Sequence, residues 1–147
     1  MGEVSALRFG RLHGTGSHAK HIIVGFWDEF QVQVYTVSDL TPVGTPVTLS
    51  NLPRSLVMVD LKGNSDSLFV VVGQGDGIVV AVPFSKVGLH VADKKISSLG
   101  DSPVHLSTCV VGGRNTVIAN GTRCSMVSWK SSLEFTPILL KVGGTIE

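Results

Sequence analysis

Apolar and polar residues alternate along most of the chain. "QVQVY" at 31–35 sets valines on one face and glutamines on the other, while "FVVVGQGDGIVVAV" at 69–82 places two valine-rich runs around three glycines and one aspartate. A period of two is the mark of β-strands, and a helical spacing is not sustained over any window of eleven residues. The pattern predicts strands near 4–9, 22–27, 30–36, 55–61, 67–72, 77–82, 104–111, 115–119 and 124–129, with weaker candidates at 46–49, 94–98 and 135–141. Turn formers punctuate the links: Gly14 and Gly16, Pro42 and Gly44, then Gly63-Asn64. Pro53 stands at a strand start, where its missing N–H does no harm.

Three hairpin-like units repeat. "IIVGFWDEFQVQVY" begins at Ile22, "LFVVVGQGDGIVVAV" at Leu68 and "TVIANGTRCSMVSW" at Thr116, so the interval is 46 residues and then 48. About two further strands fit between successive hairpins, and a four-stranded unit with a period in the forties matches the blade of a β-propeller. A sandwich with evenly spaced strands would show the same spacing. The expected fold is all-β, with about three four-stranded blades of a WD40-like propeller filling residues 1–147 as an incomplete ring. Closed propellers have at least about four blades. This count implies a segment of a larger ring, or a chain that needs a partner to cover the apolar faces at its ends.

Composition narrows the class. Hydrophobic residues make up 43% and charged residues 16%, with a formal charge of +1. No Lys/Arg cluster supplies the counterion-release term of polyanion binding, which argues against direct nucleic-acid contact. No leader pattern and no run near 18 apolar residues is present, so neither secretion nor a membrane span is expected. Cys109 and Cys124 are too few for a disulfide scaffold and read as reduced, buried small hydrophobes on separate strands.

The glycine knot at 73–77 poses a sharper question. A dinucleotide fingerprint needs its glycines to open a helix, whose N-terminal amides hold the pyrophosphate. Here "IVVAV" follows, a strand, and the lysine of a phosphate loop is missing. Asp76 and Gly77 therefore read as a hairpin turn with positive φ, and Asn120 and Gly121 as its counterpart in the third unit. His13, His18 and His21 match no zinc module. No serine elbow and no framed carboxylate pair is visible, so no catalytic residue, metal site or cofactor is expected. Trp27 is either a filler between blades or an amphipathic surface anchor. Arg54 and Arg114, each at a strand entrance, either satisfy carbonyls or meet a partner.

"GFWDEFQVQVY", "LPRSLVMVDL", "VVGQGDGIVV", "KKISSLGDSPVHL" and "GGRNTVI" form an ordered series. It resembles the family of the large subunit of the UV-damaged-DNA-binding complex, the adaptor of cullin-4-type ubiquitin ligases. The wider family includes the large subunits of a splicing factor and of the polyadenylation specificity factor. The similarity runs from about Glu3 to about Trp129 and covers part of the middle propeller of a much longer family chain. Gln74 departs from the family's usual leucine before "GDG". The resemblance implies a non-enzymatic scaffold in the nucleus and cytoplasm, linked to DNA repair. Its partners would be a cullin scaffold and, through the full-length protein, substrate receptors, with Glu3 and Trp27 at cullin-facing positions. A scaffold of an RNA-processing complex, or a fragment without function, are the alternatives.

Overall fold

The computed structural model describes residues 4–10, 21–26, 29–63, 68–85 and 87–138, with the backbone alone for 4–10. Among these residues the only helix is one 3-10 turn, Val91–Asp93, and no helix is long and apolar enough to cross a membrane. Three antiparallel sheets follow one another along the chain. The first contains β1 (Val4–Gly10), β2 (His21–Phe26), β3 (Gln31–Thr36) and the short β4 (Val47–Thr48). The second contains β5 (Pro53–Val59), β6 (Leu68–Gln74), β7 (Ile78–Ser85) and an outer strand split into β8 (Gly88–Leu89) and β9 (Lys95–Ser98). The third contains β10 (His105–Val111), β11 (Arg114–Asn120), β12 (Cys124–Trp129) and β13 (Leu133–Ile138).

Each sheet is a meander whose neighbours in sequence are neighbours in space. The first strands lie together, β1 against β5 and β5 against β10. These are successive four-stranded blades of a β-propeller whose ring is not closed.

Alternation on the middle blade decides the packing. Leu56, Met58, Val70, Val72, Val80 and Val82 face the first blade and pack with its Ile23, Val32, Val34 and Val47. Val57, Val59, Phe69, Val71, Val79 and Ala81 point the other way, onto Val104, Val117, Ala119 and Val127 of the third blade. Every residue of β6 is buried. That is why "FVVV" and "IVVAV" read as continuous apolar runs: a strand covered on both faces has no polar face to alternate with. In β3 only one face meets the middle blade, and Gln31, Gln33 and Tyr35 occupy the other.

Two differences from the sequence pattern have local causes. Phe30 lies in the β2–β3 turn rather than in β3, at φ +50°. Cys109 is exposed, not buried, because among the described residues both faces of β10 are left largely uncovered, with only Leu106 half-buried; Cys124 is half-buried and its Sγ lies 3.1 Å from Asn120 Oδ1.

Candidate functional site

Antiparallel meanders put their turns at two opposite ends of the strands. At one end a run of hydrogen bonds ties the three blades together. Leu49 N–H donates to Phe30 O at 2.7 Å, Gly75 N–H to Leu52 O at 2.8 Å, Leu99 N–H to Gly77 O at 2.8 Å, and Arg123 N–H to Leu99 O at 2.9 Å. This end carries the β2–β3 turn, the segment 49–54, the β6–β7 turn and the β11–β12 turn. It is the candidate interaction surface.

The glycine knot sits in the middle of it as a turn. Gly75 N–H is used by Leu52 O, Gly77 N–H by Gln74 O at 3.4 Å, and Ile78 N–H by Asp76 Oδ1 at 3.4 Å. Amides bonded in this way, beside a carboxylate, cannot cradle a phosphate, because a cradle needs free donors and no negative charge. Gly77 has φ +94°. Gly73, still within β6, lies where a Cβ would come 2.7 Å from Val104 O. All three glycines thus serve turning or close approach.

Asn120 and Gly121 act differently. Gly121 is absent from the positive-φ glycines, and the turn spans Gly121–Arg123, closed by Gly121 N–H to Arg123 O at 2.9 Å. Its following residue does the joining. Thr122 Oγ1 accepts the N–H groups of Asp101 at 3.3 Å and Ser102 at 3.2 Å, and Arg123 reaches Ser98 O at 3.1 Å.

The two arginines lie at opposite ends. Arg54 is on the candidate surface, exposed, with its stem against Gly75. Among the described residues its guanidinium holds no acceptor. Arg114 follows the β10–β11 turn, at the far end, and donates to Trp129 O at 3.3 Å. Glu3 and Trp27 lie outside the described residues, as do His13 and His18. His21 is in β2, its ring edge-on to Phe84 at 5.2 Å. No three His, Cys, Asp or Glu side chains gather as a metal-ligand set among the described residues.

Sequence reasoning missed Phe30. It is 38% exposed in a left-handed conformation that costs a non-glycine residue about 1–2 kcal/mol. The available signal was its place after Asp28-Glu29, where a hairpin turn does not call for an aromatic ring.

The geometry defines a class: stacked antiparallel blades with an end surface rich in turns, held by backbone bonds rather than by a pocket. No protein-family model matches the chain. The chain is similar to DNA damage-binding protein 1 of Solanum lycopersicum and of Solanum cheesmaniae, 25% identical to each over 142 residues. That match covers 95% of this chain and 13% of either relative, so the chain spans about an eighth of the length of the curated relatives it matches.

Proposed function

We propose that this chain is a non-enzymatic adaptor segment, part of a longer propeller protein that acts in the nucleus, and that its turn-rich end docks a cullin scaffold. The observation that carries the reading is the similarity to DNA damage-binding protein 1, spread over nearly the whole chain rather than confined to one motif. The end that bears Phe30 and Arg54 supports it physically. An exposed aromatic ring and an unengaged guanidinium are the groups most often found at the energetic centre of an interface. Trp27 stands three positions before Phe30 in the sequence and in this reading is the main anchor, with Glu3 setting orientation at the rim.

Burial of the Trp27 ring contributes roughly 1.5–3 kcal/mol to docking. Trp27→Ala in the full-length protein therefore weakens capture of a purified cullin-4-type scaffold at least about tenfold, with the melting temperature unchanged. Loss of capture together with unfolding means that Trp27 is a filler between blades. Capture of splicing or polyadenylation subunits in place of the cullin overturns the reading altogether.

A further inference from the structure

The outer strand of the middle blade is broken, and the cause lies in β7. Pro83 has no N–H to offer a fourth strand, and its carbonyl accepts His90 N–H at 2.8 Å. Pairing is therefore made at Phe84–Ser85 by β8 and again at Ile78–Ala81 by β9, with the 3-10 turn Val91–Asp93 between them. Beside this break, between the middle and third blades, lies a groove of about 320 Å³.

Its lining is apolar where the two blades meet, at Phe69, Trp129 and Leu133, and Phe84, which packs toward the first blade, closes the β7–β8 side. The rings of Phe69 and Trp129 are 5.9 Å apart and tilted by 37°. Two ammonium groups stand in its walls. Lys62 Nζ lies 4.3 Å from the centre of the Trp129 ring, and Lys95 Nζ lies 3.5 Å from Leu133 O. A ring face and a carbonyl hold these cations without neutralising them. Among the described residues Asp93 is the one carboxylate of the lining. On the β7–β8 side, Ser85 Oγ and His90 Nε2 are 2.7 Å apart, a polar pair able to meet a peptide backbone.

We propose that this groove binds a short acidic peptide segment, with one large apolar side chain seated against Phe69 and Trp129 and flanking carboxylates on Lys62 and Lys95. Charge selects the occupant: among the described residues two cations oppose one anion around an apolar floor. Size agrees, because the volume is at the low end for ligand pockets and suits one side chain with its neighbours. The groove is remote from Phe30 and Arg54, so the proposal stands or falls independently of cullin docking.

The test titrates the full chain with the capped peptide Ac-Glu-Glu-Leu-Glu-Glu-NH₂ and follows the indole N–H resonance of Trp129, assigned with Trp27→Phe. The expected result is a saturable shift that weakens as salt is added, and at least fivefold weaker binding in both Lys62→Gln and Lys95→Gln. Lys95 is exposed, so its variant keeps the test valid if loss of Lys62 loosens Trp129. Three outcomes overturn the proposal: no saturable shift up to millimolar peptide, equal binding of the peptide with lysine in place of glutamate, or an identical response to inorganic phosphate, which marks a simple anion site.

Discussion

Gly77 stands against Gly100 so closely that a Cβ on Gly77 would lie 2.2 Å from the Gly100 carbonyl oxygen. Gly100 in turn faces Thr122, whose Cβ would be 2.4 Å from an added Cβ. Both glycines have positive φ, +94° and +112°. The hairpin turn of the middle blade, the link after β9 and the β11–β12 turn thus form one stack of close backbone approaches. Blade-to-blade cohesion at this end depends on missing side chains.

Gly77→Ala should therefore destabilise the chain by at least about 2 kcal/mol, combining left-handed strain with displacement of a backbone carbonyl. Gly112→Ala is the control: its φ is +58° but nothing lies within 4 Å of an added Cβ. It should cost about 1 kcal/mol. Urea denaturation of the two variants compares them, and equal losses would remove the close approach from the explanation.

Gln74 is 1% exposed and stands next to the seam of the first two blades. Its Nε2 donates to Ser50 Oγ at 3.1 Å and to Asp76 Oδ1 at 3.0 Å, while its Oε1 is buried with no partner. Ser50 is exposed and Asp76 half-buried, so water can replace both bonds. Gln74→Leu should stabilise by about 1 kcal/mol, because it removes an unsatisfied buried carbonyl. Gln74→Glu should destabilise, placing a second carboxylate beside Asp76. A fall in melting temperature for Gln74→Leu would contradict this.

Asp39 holds the loop after β3. The Thr36 hydroxyl first, then Thr41, hydrogen-bond to its carboxylate and lower its pKa from 3.8. A group whose pKa is lowered by folding stabilises the fold above its ordinary value and loses that effect as pH falls through the lowered one. Leu40, exposed with φ +56°, rides on this loop. Amide shifts of Leu40 and Thr41 should be constant from neutral pH down to about 4 and move below it. In Asp39→Asn that acid transition should vanish; its persistence would assign it to another group.

Phe30→Gly separates stability from docking. Glycine relieves the left-handed strain at φ +50° and should leave stability unchanged or raised by up to about 1 kcal/mol. Cullin capture by the full-length protein should weaken in the same variant. Unaltered capture would place Phe30 outside the interface.

The blades were legible because alternation records burial. "QVQVY" shows one apolar face and "FVVV" shows two, and β3 and β6 are built that way except at Gln33, which is buried with its amide on Gly44 O. β8 was not legible: two residues paired beyond Pro83 leave no periodicity to detect. The glycine knot could be read as a turn from Asp76-Gly77 alone, but its contact with Gly100 spans more than twenty residues and leaves no local trace. The same pattern at Asn120-Gly121 does mark the turn between β11 and β12, but without the positive φ of Gly77 and with Thr122 making the contact to the neighbouring link. The split between Arg54 and Arg114 depends on strand direction, which identical residue types at two strand entrances do not encode. Phe30 was hidden because an aromatic ring beside a strand reads as strand.

Hydrogen–deuterium exchange of the chain, alone and with a purified cullin-4-type scaffold, tests whether the turn-rich end is the docking face. Added protection is expected at 29–31, 49–54 and 74–77, the end joined by Phe30, Leu52 and Gly77. No protection, or protection confined to the Gly112–Arg114 turn at the opposite end, would contradict it.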